Sequence, residues 1–295
     1  MRSALSTLEV ARPRTLAQAL EALHESLAGE RCVPIAGGTD LYVSLNDGSH
    51  TGRRFLDLWG LDELRGIRVS RGGIRLGALA TFREIRHHPV VASRLPALAE
   101  AASWVGAWQI QNRATLAGNI ANASPAGDSL PALLAYDATV HLRSVGGARD
   151  VAFERFYRGY RDPAMEPDEL ITAVSVPYPP AGARAFFRKV GTRRAQSISK
   201  VVFAGLLHVG RGGRVDHARF AFGSVAPVTL RARRAEEAVL GAPASRAAAA
   251  RALAALAGDI SPIDDIRSDR DYRITVAGNV LEQFLRTADA RFARA

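Results

Sequence analysis

Two adjacent glycines, Gly37 and Gly38, interrupt an apolar stretch of the sequence, PIAGGTDLYV at residues 34–43. Glycine loses more conformational freedom on folding than any other residue, so a glycine pair indicates a positive φ or a close approach by another group. A tight turn between two buried elements is the simplest explanation. A second loop with small side chains, TLAGN, lies at residues 115–119. The pair of loops suggests another explanation, anion binding, because successive backbone N–H groups in such loops form a nest that binds anions.

Neither loop fits a common nucleotide-binding motif, since neither reads G-x-G-x-x-G before a helix nor ends in GK[ST]. Polar side chains nevertheless accompany both loops. Thr39, Thr115 and Ser124 offer hydroxyl groups, Asn119 offers an amide, and Asp128 offers a carboxylate that accepts hydrogen bonds. If the fold brings the two loops together, the sequence predicts a site for a diphosphate.

The composition is that of a globular protein with a hydrophobic core: 295 residues, 47% hydrophobic and 23% charged. No apolar run is long enough to span a membrane. The N-terminal segment has no apolar stretch of the signal-peptide kind and carries Glu9 early. Cys32 is the single cysteine, which excludes an internal disulfide and a cysteine-ligated cluster within this chain. We therefore expect a cytoplasmic protein.

The net charge of +10 raises the question of nucleic-acid binding. The arginines are scattered, lysine occurs only at positions 189 and 200, and no nucleic-acid-binding motif is present. A positive surface also attracts an anionic cofactor or an acidic partner. The His87-His88 pair precedes Pro89 and is expected at a helix end rather than at a metal. We predict no nucleic-acid partner and no metal site.

Hydrophobic spacing predicts a helix over residues 14–28 with Thr15 as N-cap, and a strand follows over residues 32–35. Residues 113–138 show no sustained helical period and are crowded with Ala, Gly, Asn and Ser, so we expect a long coil there. Trp104 and Trp108 are predicted to pack in the core from one helix face. Further expected elements are strands over 53–58, 73–79 and 139–143, helices near 82–88 and over 96–107, and a strand-end cap at Asp57.

The proline-rich segment PYPPAGARA at residues 177–185 indicates a connector. A hairpin with GRGG as its turn follows it, and then helices near 229–240, 244–257 and 272–287. Strands followed by helices are typical of an α+β arrangement. We therefore predict a domain over residues 1–178, with subdomains of about 1–55 and 56–178, and a second domain over residues 179–295.

Several segments taken together resemble one known family. They are AGGTDL (36–41), NRATLAGNIANASPAGDSLPALLAYDA (112–138), PDELI (167–171), FRKVGTRR (187–194), FGSVAPVTLRARRAE (222–236) and DDIRSDRDYR (264–273). Their combination is similar to the FAD-binding (medium) subunits of the molybdenum hydroxylases, the family of xanthine dehydrogenase and carbon monoxide dehydrogenase. The likeness runs in register from Arg12-Pro13 to the final predicted helix.

The resemblance implies a PCMH-type FAD-binding domain of two subdomains, followed by a C-terminal α+β domain with an antiparallel sheet and helices. It also implies a site for non-covalent FAD. The first loop would wrap the pyrophosphate, the second would contact the flavin nucleotide, one apolar residue would pack near the isoalloxazine ring, and a lysine would reach the cofactor from the C-terminal domain. The implied residues are Ile35, Ala36, Gly37, Gly38, Thr39, Asp40, Thr115, Gly118, Asn119, Ser124, Asp128, Ile171 and Lys189. Tyr157 and Tyr160 are further candidates for lining the flavin.

The function implied by the resemblance is electron transfer, with no catalytic residue on this chain. A molybdenum-binding large subunit and a [2Fe–2S] small subunit would be its partners, in a dimer of heterotrimers, and NAD⁺, oxygen or a quinone would accept the electrons. A stand-alone PCMH-type reductase of the UDP-acetylmuramate dehydrogenase kind is the alternative. Two positions depart from the family pattern: Ala117 replaces a glycine, and AQSIS at residues 195–199 replaces an acidic pair.

Overall fold

The computed structural model describes residues 8–293; the first seven residues of the predicted first domain and the last two of the second lie outside that range. A parallel sheet of β1 (Glu9–Ala11), β2 (Cys32–Ile35) and β3 (Arg54–Asp57) opens the fold, with β3 in the centre. Helices α1 (Leu16–Glu25) and α2 (Leu41–Asp47) belong to this part of the chain. As predicted, the Thr15 side chain caps α1, whose leucines are buried.

A mixed region of sheet and helices follows. Its main sheet is antiparallel, in the order β4-β5-β10-β6-β7, and buries one apolar face that includes Ile74, Val140 and Val174. A short hairpin of β8 and β9 stands apart from it. The strands are β4 (Ile67–Val69), β5 (Gly73–Gly77), β6 (Thr139–Ser144), β7 (Gly147–Ala152), β8 (Tyr157–Gly159), β9 (Asp162–Pro163) and β10 (Leu170–Pro177).

Short helices lie between β5 and β6. They are α3 (Phe82–His87), α4 (Pro89–Arg94), α5 (Pro96–Trp104), α6 (Trp108–Gln111), α7 (Leu116–Ala121) and α8 (Leu130–Ala135). The expected long coil over residues 113–138 is therefore wrong. Helices α7 and α8 are six residues each, and six residues are too few to establish a hydrophobic period in the sequence.

The predicted shared helix face of Trp104 and Trp108 is also wrong. Helix α5 ends at Trp104, and Gly106 adopts a φ of +54°, so the chain turns before Trp108 begins the separate helix α6. Trp108 is 75% exposed. Asp57, in contrast, receives a hydrogen bond from the Trp59 backbone N–H at 2.9 Å, which fits its predicted capping role at the strand end.

The C-terminal part is an antiparallel sheet with helices, as the sequence predicts. Its strands follow chain order, the GRGG segment turns between the two longest of them, and a cluster of phenylalanines that includes Phe203, Phe222 and Phe284 fills the core. The elements are β11 (Arg184–Val190), β12 (Val201–Val209), β13 (Val215–Gly223), β14 (Leu230–Arg231), α9 (Arg233–Val239), α10 (Arg246–Leu256) and α11 (Arg270–Ala288).

Two features bear on the wider organisation. Strand β3 runs across residue 55, so the first sheet ends slightly beyond the predicted limit of the first subdomain; the domain limits at 178 and 179 stay a prediction. Within residues 8–293, no helix is both long enough and apolar enough to cross a membrane.

Candidate functional site

The first loop, Ile35–Asp40, connects β2 to α2 and explains its two glycines in different ways. A Cβ on Gly37 would overlap the carbonyl oxygen of Arg113, so this position has room for hydrogen only. Gly38 adopts a φ of +73°, a conformation that side chains disfavour. Position 37 therefore requires glycine because another backbone segment lies too close for a side chain, and position 38 favours glycine because its own φ is positive.

The backbone N–H groups of this first loop are free. Among the described residues, none accepts a hydrogen bond from the N–H of Gly37, Gly38 or Thr39, although all three residues are half-buried. Unsatisfied amides in a partly enclosed turn are the donors that a phosphate oxygen accepts from. The first loop has the properties that the sequence predicts for it.

The second loop, taken from here on as residues 112–128 so that it includes Ser124 and Asp128, differs, because protein groups already occupy the amides of residues 116–119. Thr115 caps α7 by accepting from the Gly118 N–H at 3.1 Å, and Asn119 N–H donates to the Thr115 carbonyl at 3.0 Å. Leu116 N–H donates to the Ala80 carbonyl at 3.0 Å. The expectation of a second open nest at residues 115–119 is wrong, since a threonine there starts a helix.

Side-chain groups of the second loop stay available. Asn119 accepts a hydrogen bond from the Ser129 hydroxyl at 2.7 Å, and its own NH₂ has no acceptor among residues 8–293. The Ser124 hydroxyl oxygen accepts from the Ala126 N–H at 3.3 Å, which leaves its hydrogen free to donate. The second loop thus offers side chains where the first offers backbone.

The two loops meet directly. Gly37 packs against the Arg113 and Ala114 backbone, and the Asn122 side-chain NH₂ donates to an Asp40 carboxylate oxygen at 3.2 Å. The fold therefore brings together the two segments that the sequence singled out. Asn122 lies in one of them, but only the structure shows which loop its amide contacts.

Asp40 lies at the exposed rim of this junction. The surrounding protein desolvates its carboxyl and raises its pKa above the ordinary value, and the Arg161 guanidinium opposes that shift. Arg161 belongs to the β8–β9 hairpin, where its φ of +53° places it in the left-handed region. The hairpin therefore contributes a cation to the rim of the junction, which sequence reasoning missed.

Asp128 and Lys189 form a buried ion pair with each other. The Lys189 ammonium donates to one Asp128 oxygen at 2.6 Å and to the Trp104 carbonyl at 3.3 Å, and the Ser199 hydroxyl donates to the other Asp128 oxygen at 2.5 Å. Burial raises the pKa of the Asp128 carboxyl, while Lys189 and Ser199 pull it down. These hydrogen bonds connect the second loop to β11 through Lys189, and to the segment before β12 through Ser199.

Ile171 and the two candidate tyrosines occupy different surroundings. Ile171 is 5% exposed in the core on β10, beside an irregularity in the strand pairing. Tyr157 is half-buried, its hydroxyl donates to the Ile120 carbonyl at 2.8 Å, and burial raises its pKa. Tyr160 is 65% exposed. Tyr157 therefore supports the end of α7, whereas Tyr160 lies exposed on the hairpin with the Arg161 guanidinium 6.0 Å from the centre of its ring.

Family models match the two parts of the chain. Residues 6–179 match the FAD binding domain in molybdopterin dehydrogenase, and residues 186–288 match the carbon monoxide dehydrogenase flavoprotein C-terminal domain. The chain is an FAD-binding subunit of the molybdenum hydroxylase family. It is therefore an oxidoreductase component, as the resemblance of its motifs implies.

Individual members of the family are similar along most of their length. The nicotinate dehydrogenase FAD-subunit of Eubacterium barkeri is 36% identical over 81% of each chain. The xanthine dehydrogenase FAD-binding subunit of Escherichia coli O157:H7 is 30% identical over 95% of each. The solved carbon monoxide dehydrogenase of Hydrogenophaga pseudoflava superposes with a TM-score of 0.91 at 30% identity, over 96% of this chain and 98% of that one.

Proposed function

We propose that this family member holds FAD non-covalently where its two loops meet. The free amides of the first loop, in contact with the hydroxyl- and amide-bearing second loop, carry the proposal, because a diphosphate needs such donors. The residues proposed to hold the cofactor are Ile35, Ala36, Gly37, Gly38, Thr39, Asp40, Thr115, Gly118, Asn119, Ser124, Asp128, Ile171 and Lys189.

The residues of this set have different tasks. The first loop binds the diphosphate through its backbone, and Asn119 and Ser124 add side-chain donors from the second. Asp128 and Lys189, which are buried and paired, fix the second loop against the C-terminal sheet and border the site rather than lie open to it. The bound flavin would supply one- and two-electron redox chemistry, while the chain supplies position and electrostatics.

The proposed partners are a molybdenum-binding large subunit and a [2Fe–2S] small subunit, in a cytoplasmic dimer of heterotrimers. Support comes from relatives whose names are those of subunits, among them the carbon monoxide dehydrogenase medium chain of Hydrogenophaga pseudoflava. In this proposal electrons arrive from the small subunit and leave to NAD⁺, oxygen or a quinone. Segment 195–199 has no acidic side chain. Its residues 195, 196 and 198 are exposed, Ser197 is half-buried and Ser199 is buried. The surface proposed to face the electron acceptor therefore lacks the acidic pair that the family resemblance implies at this segment.

Purification of the full chain tests the cofactor claim. We expect a yellow protein whose flavin absorbance bleaches on reduction with dithionite, and whose flavin is released by acid without proteolysis, as non-covalent binding requires. A folded, colourless chain that ignores added FAD would contradict the proposal. Flavin that stays on the denatured polypeptide would contradict its non-covalent part.

Affinity capture from the native host tests the partner claim. We expect co-purification of two polypeptides with iron and molybdenum in the eluate, and reduction of the flavin when the complex receives its hydroxylation substrate. Oxidation of NADPH by this chain alone, with a UDP-linked cell-wall precursor, would support the stand-alone reductase instead.

A further inference from the structure

The C-terminal part of the chain holds the second loop through two contacts besides the Lys189 pair. The Ser224 backbone N–H donates to the Pro125 carbonyl at 2.9 Å. The Ser199 hydroxyl donates to Asp128 at 2.5 Å. Both partners, Pro125 and Asp128, lie in the last part of the second loop, residues 123–128. The position of this part therefore depends on where residues 199 and 224 are held.

One side chain braces both holding segments. The Arg273 guanidinium, on α11, donates through one nitrogen to the Ser224 carbonyl at 2.7 Å and to the Lys200 carbonyl at 3.2 Å. Its other terminal nitrogen donates to Asp265 at 2.7 Å, and its side chain is only 5% exposed. Lys200 directly follows Ser199, so a single cation spans the turn at Ser224 and the end of segment 195–199.

The turn at Ser224 needs such a brace. Ser224 adopts a φ of +64°, a conformation that costs free energy for any residue with a Cβ and persists only where surrounding contacts enforce it. Within residues 8–293, the hydrogen-bond partners of its backbone are the Pro125 carbonyl on one side and the Arg273 guanidinium on the other. Without Arg273, the Ser224 carbonyl loses its charged donor and the turn loses one of these two restraints.

We propose that Arg273 is a positioning residue for the flavin site, which sets residues 123–128 in place through Ser224 and Lys200. This inference rests on the proposed function, since it assumes that FAD binds beside the second loop. Among the described residues, the hydrogen bonds of the Arg273 side chain go to Lys200, Ser224 and Asp265 and not to either loop, so its effect on the cofactor is indirect. Arginine is suited to the task because its planar fork presents several donors at fixed angles, whereas lysine presents one compact ammonium group.

The first experiment needs no cofactor. Amide hydrogen exchange of the apoprotein, read by mass spectrometry over peptides that cover residues 122–130 and 222–226, compares wild type with Arg273→Met. We expect exchange at least tenfold faster in both peptides, because the turn and the loop open together. Unchanged exchange in the 122–130 peptide would overturn the inference, whether or not the chain binds FAD.

The second experiment measures FAD affinity by flavin fluorescence quenching. Arg231 provides a matched control: its side chain is 1% exposed and pairs with Glu236, but its partners lie outside residues 123–128. We expect Arg273→Met to raise the FAD dissociation constant about tenfold relative to Arg231→Met, with Arg273→Lys in between. Equal affinities of the two Met variants would contradict a positioning role and indicate a general loss of stability.

The Asp265→Asn variant and the wild-type chain distinguish a loss of folding from a loss of FAD affinity. If Arg273→Met does not fold, Asp265→Asn keeps the arginine and its carbonyl contacts while weakening its anchor, and we expect a rise in the dissociation constant of about threefold. No rise in that variant would count against the inference. A wild-type chain that binds no FAD would overturn the proposed function, while the exchange experiment would still decide whether Arg273 holds the loop.

Discussion

The two loops of the candidate site hold their shapes in opposite ways. The first, Ile35–Asp40, has two glycines and, within residues 8–293, no acceptor for the backbone N–H groups of Gly37, Gly38 and Thr39. The second, residues 112–128, has its helix-forming amides occupied and is fastened to the C-terminal sheet through Asp128. The first loop is thus organised to bind, and the second to hold side chains at fixed positions.

This difference shows why one glycine-rich segment is not equivalent to another. A glycine pair can leave amides open to a ligand, whereas TLAGN uses its threonine to begin a helix and its glycine as the third residue of that helix. Substitutions in the two loops should therefore fail differently. In the first loop they should act on the free amides and on the close contact at Gly37, and in the second on the helix cap and the buried ion pair that hold its side chains.

The largest expected effect is on the buried ion pair. Lys189→Met leaves the Asp128 carboxylate buried without its cation, and we expect the free energy of unfolding to fall by about 3–5 kcal/mol. Chemical denaturation at pH 7 measures it. The matched double variant, Asp128→Asn with Lys189→Met, should recover much of the loss, because no charge is then stranded.

The same ion pair determines how the stability of Lys189→Met should change with pH. Burial raises the pKa of Asp128 above 3.8, and removal of Lys189 takes away an opposing charge. The native variant then binds more protons than its unfolded state above pH 3.8, so its stability falls as pH rises. We expect Lys189→Met to be less destabilised relative to wild type at pH 5 than at pH 8. An equal deficit at both values would contradict a stranded carboxylate.

A smaller loss of stability but a severe loss of cofactor is expected for Gly37→Ala. The added methyl group would overlap the Arg113 carbonyl and force the two loops apart, at a cost of about 1–3 kcal/mol. FAD titration by fluorescence should show an affinity reduced by at least tenfold. Gly72→Ala is the control, because a Cβ at Gly72 meets nothing within 4 Å; equal behaviour of the two variants would show that the loops do not need this contact.

Removing the N-cap of α7, in the second loop, can be compared with removing the N-cap of α1. Thr115→Val and Thr15→Val each delete an N-cap hydrogen bond, and each should cost about 1 kcal/mol in thermal unfolding. Only Thr115→Val should also weaken FAD binding. If the Thr15 variant lost as much affinity, the effect would come from general stability and not from the second loop.

The smallest expected effect is at the contact between the loops. Asn122→Ala removes one exposed hydrogen bond to Asp40, worth about 0.5 kcal/mol, the low end of the usual range. Isothermal titration should show a few-fold rise in the FAD dissociation constant and little change in melting temperature. A large fall in melting temperature would mean that the first loop is fastened more firmly than its free amides indicate.

Much of the architecture could be predicted from the sequence. The capped helix α1, strand β2, the GRGG hairpin and the final helix all have periodic patterns or turn residues that identify them. Helices α7 and α8 could not be found in this way, because they are short and rich in alanine. Trp108 was misplaced since helical spacing alone does not show the turn that Gly106 makes.

The site was predictable in its segments and less so in its contacts. The sequence singles out Gly37 as a position of close approach, but the group that approaches it, the Arg113 carbonyl, lies far along the chain and leaves no local signal. The Ser199 hydroxyl on Asp128 and the Arg273 brace are equally non-local, as are most contacts made by side chains from different elements. Their residue types are common and carry no motif.

The pairing of Asp128 has a consequence for the order of events during synthesis. Both groups that satisfy its oxygens, Lys189 and Ser199, lie later in the chain than the FAD-binding part itself. Domains generally fold from the N-terminus as they leave the ribosome, so this carboxylate waits for its counter-ion until translation has passed residue 189, and for its hydroxyl donor until it has passed residue 199. Loading of the cofactor is therefore expected only after the first strands of the C-terminal sheet have been synthesised.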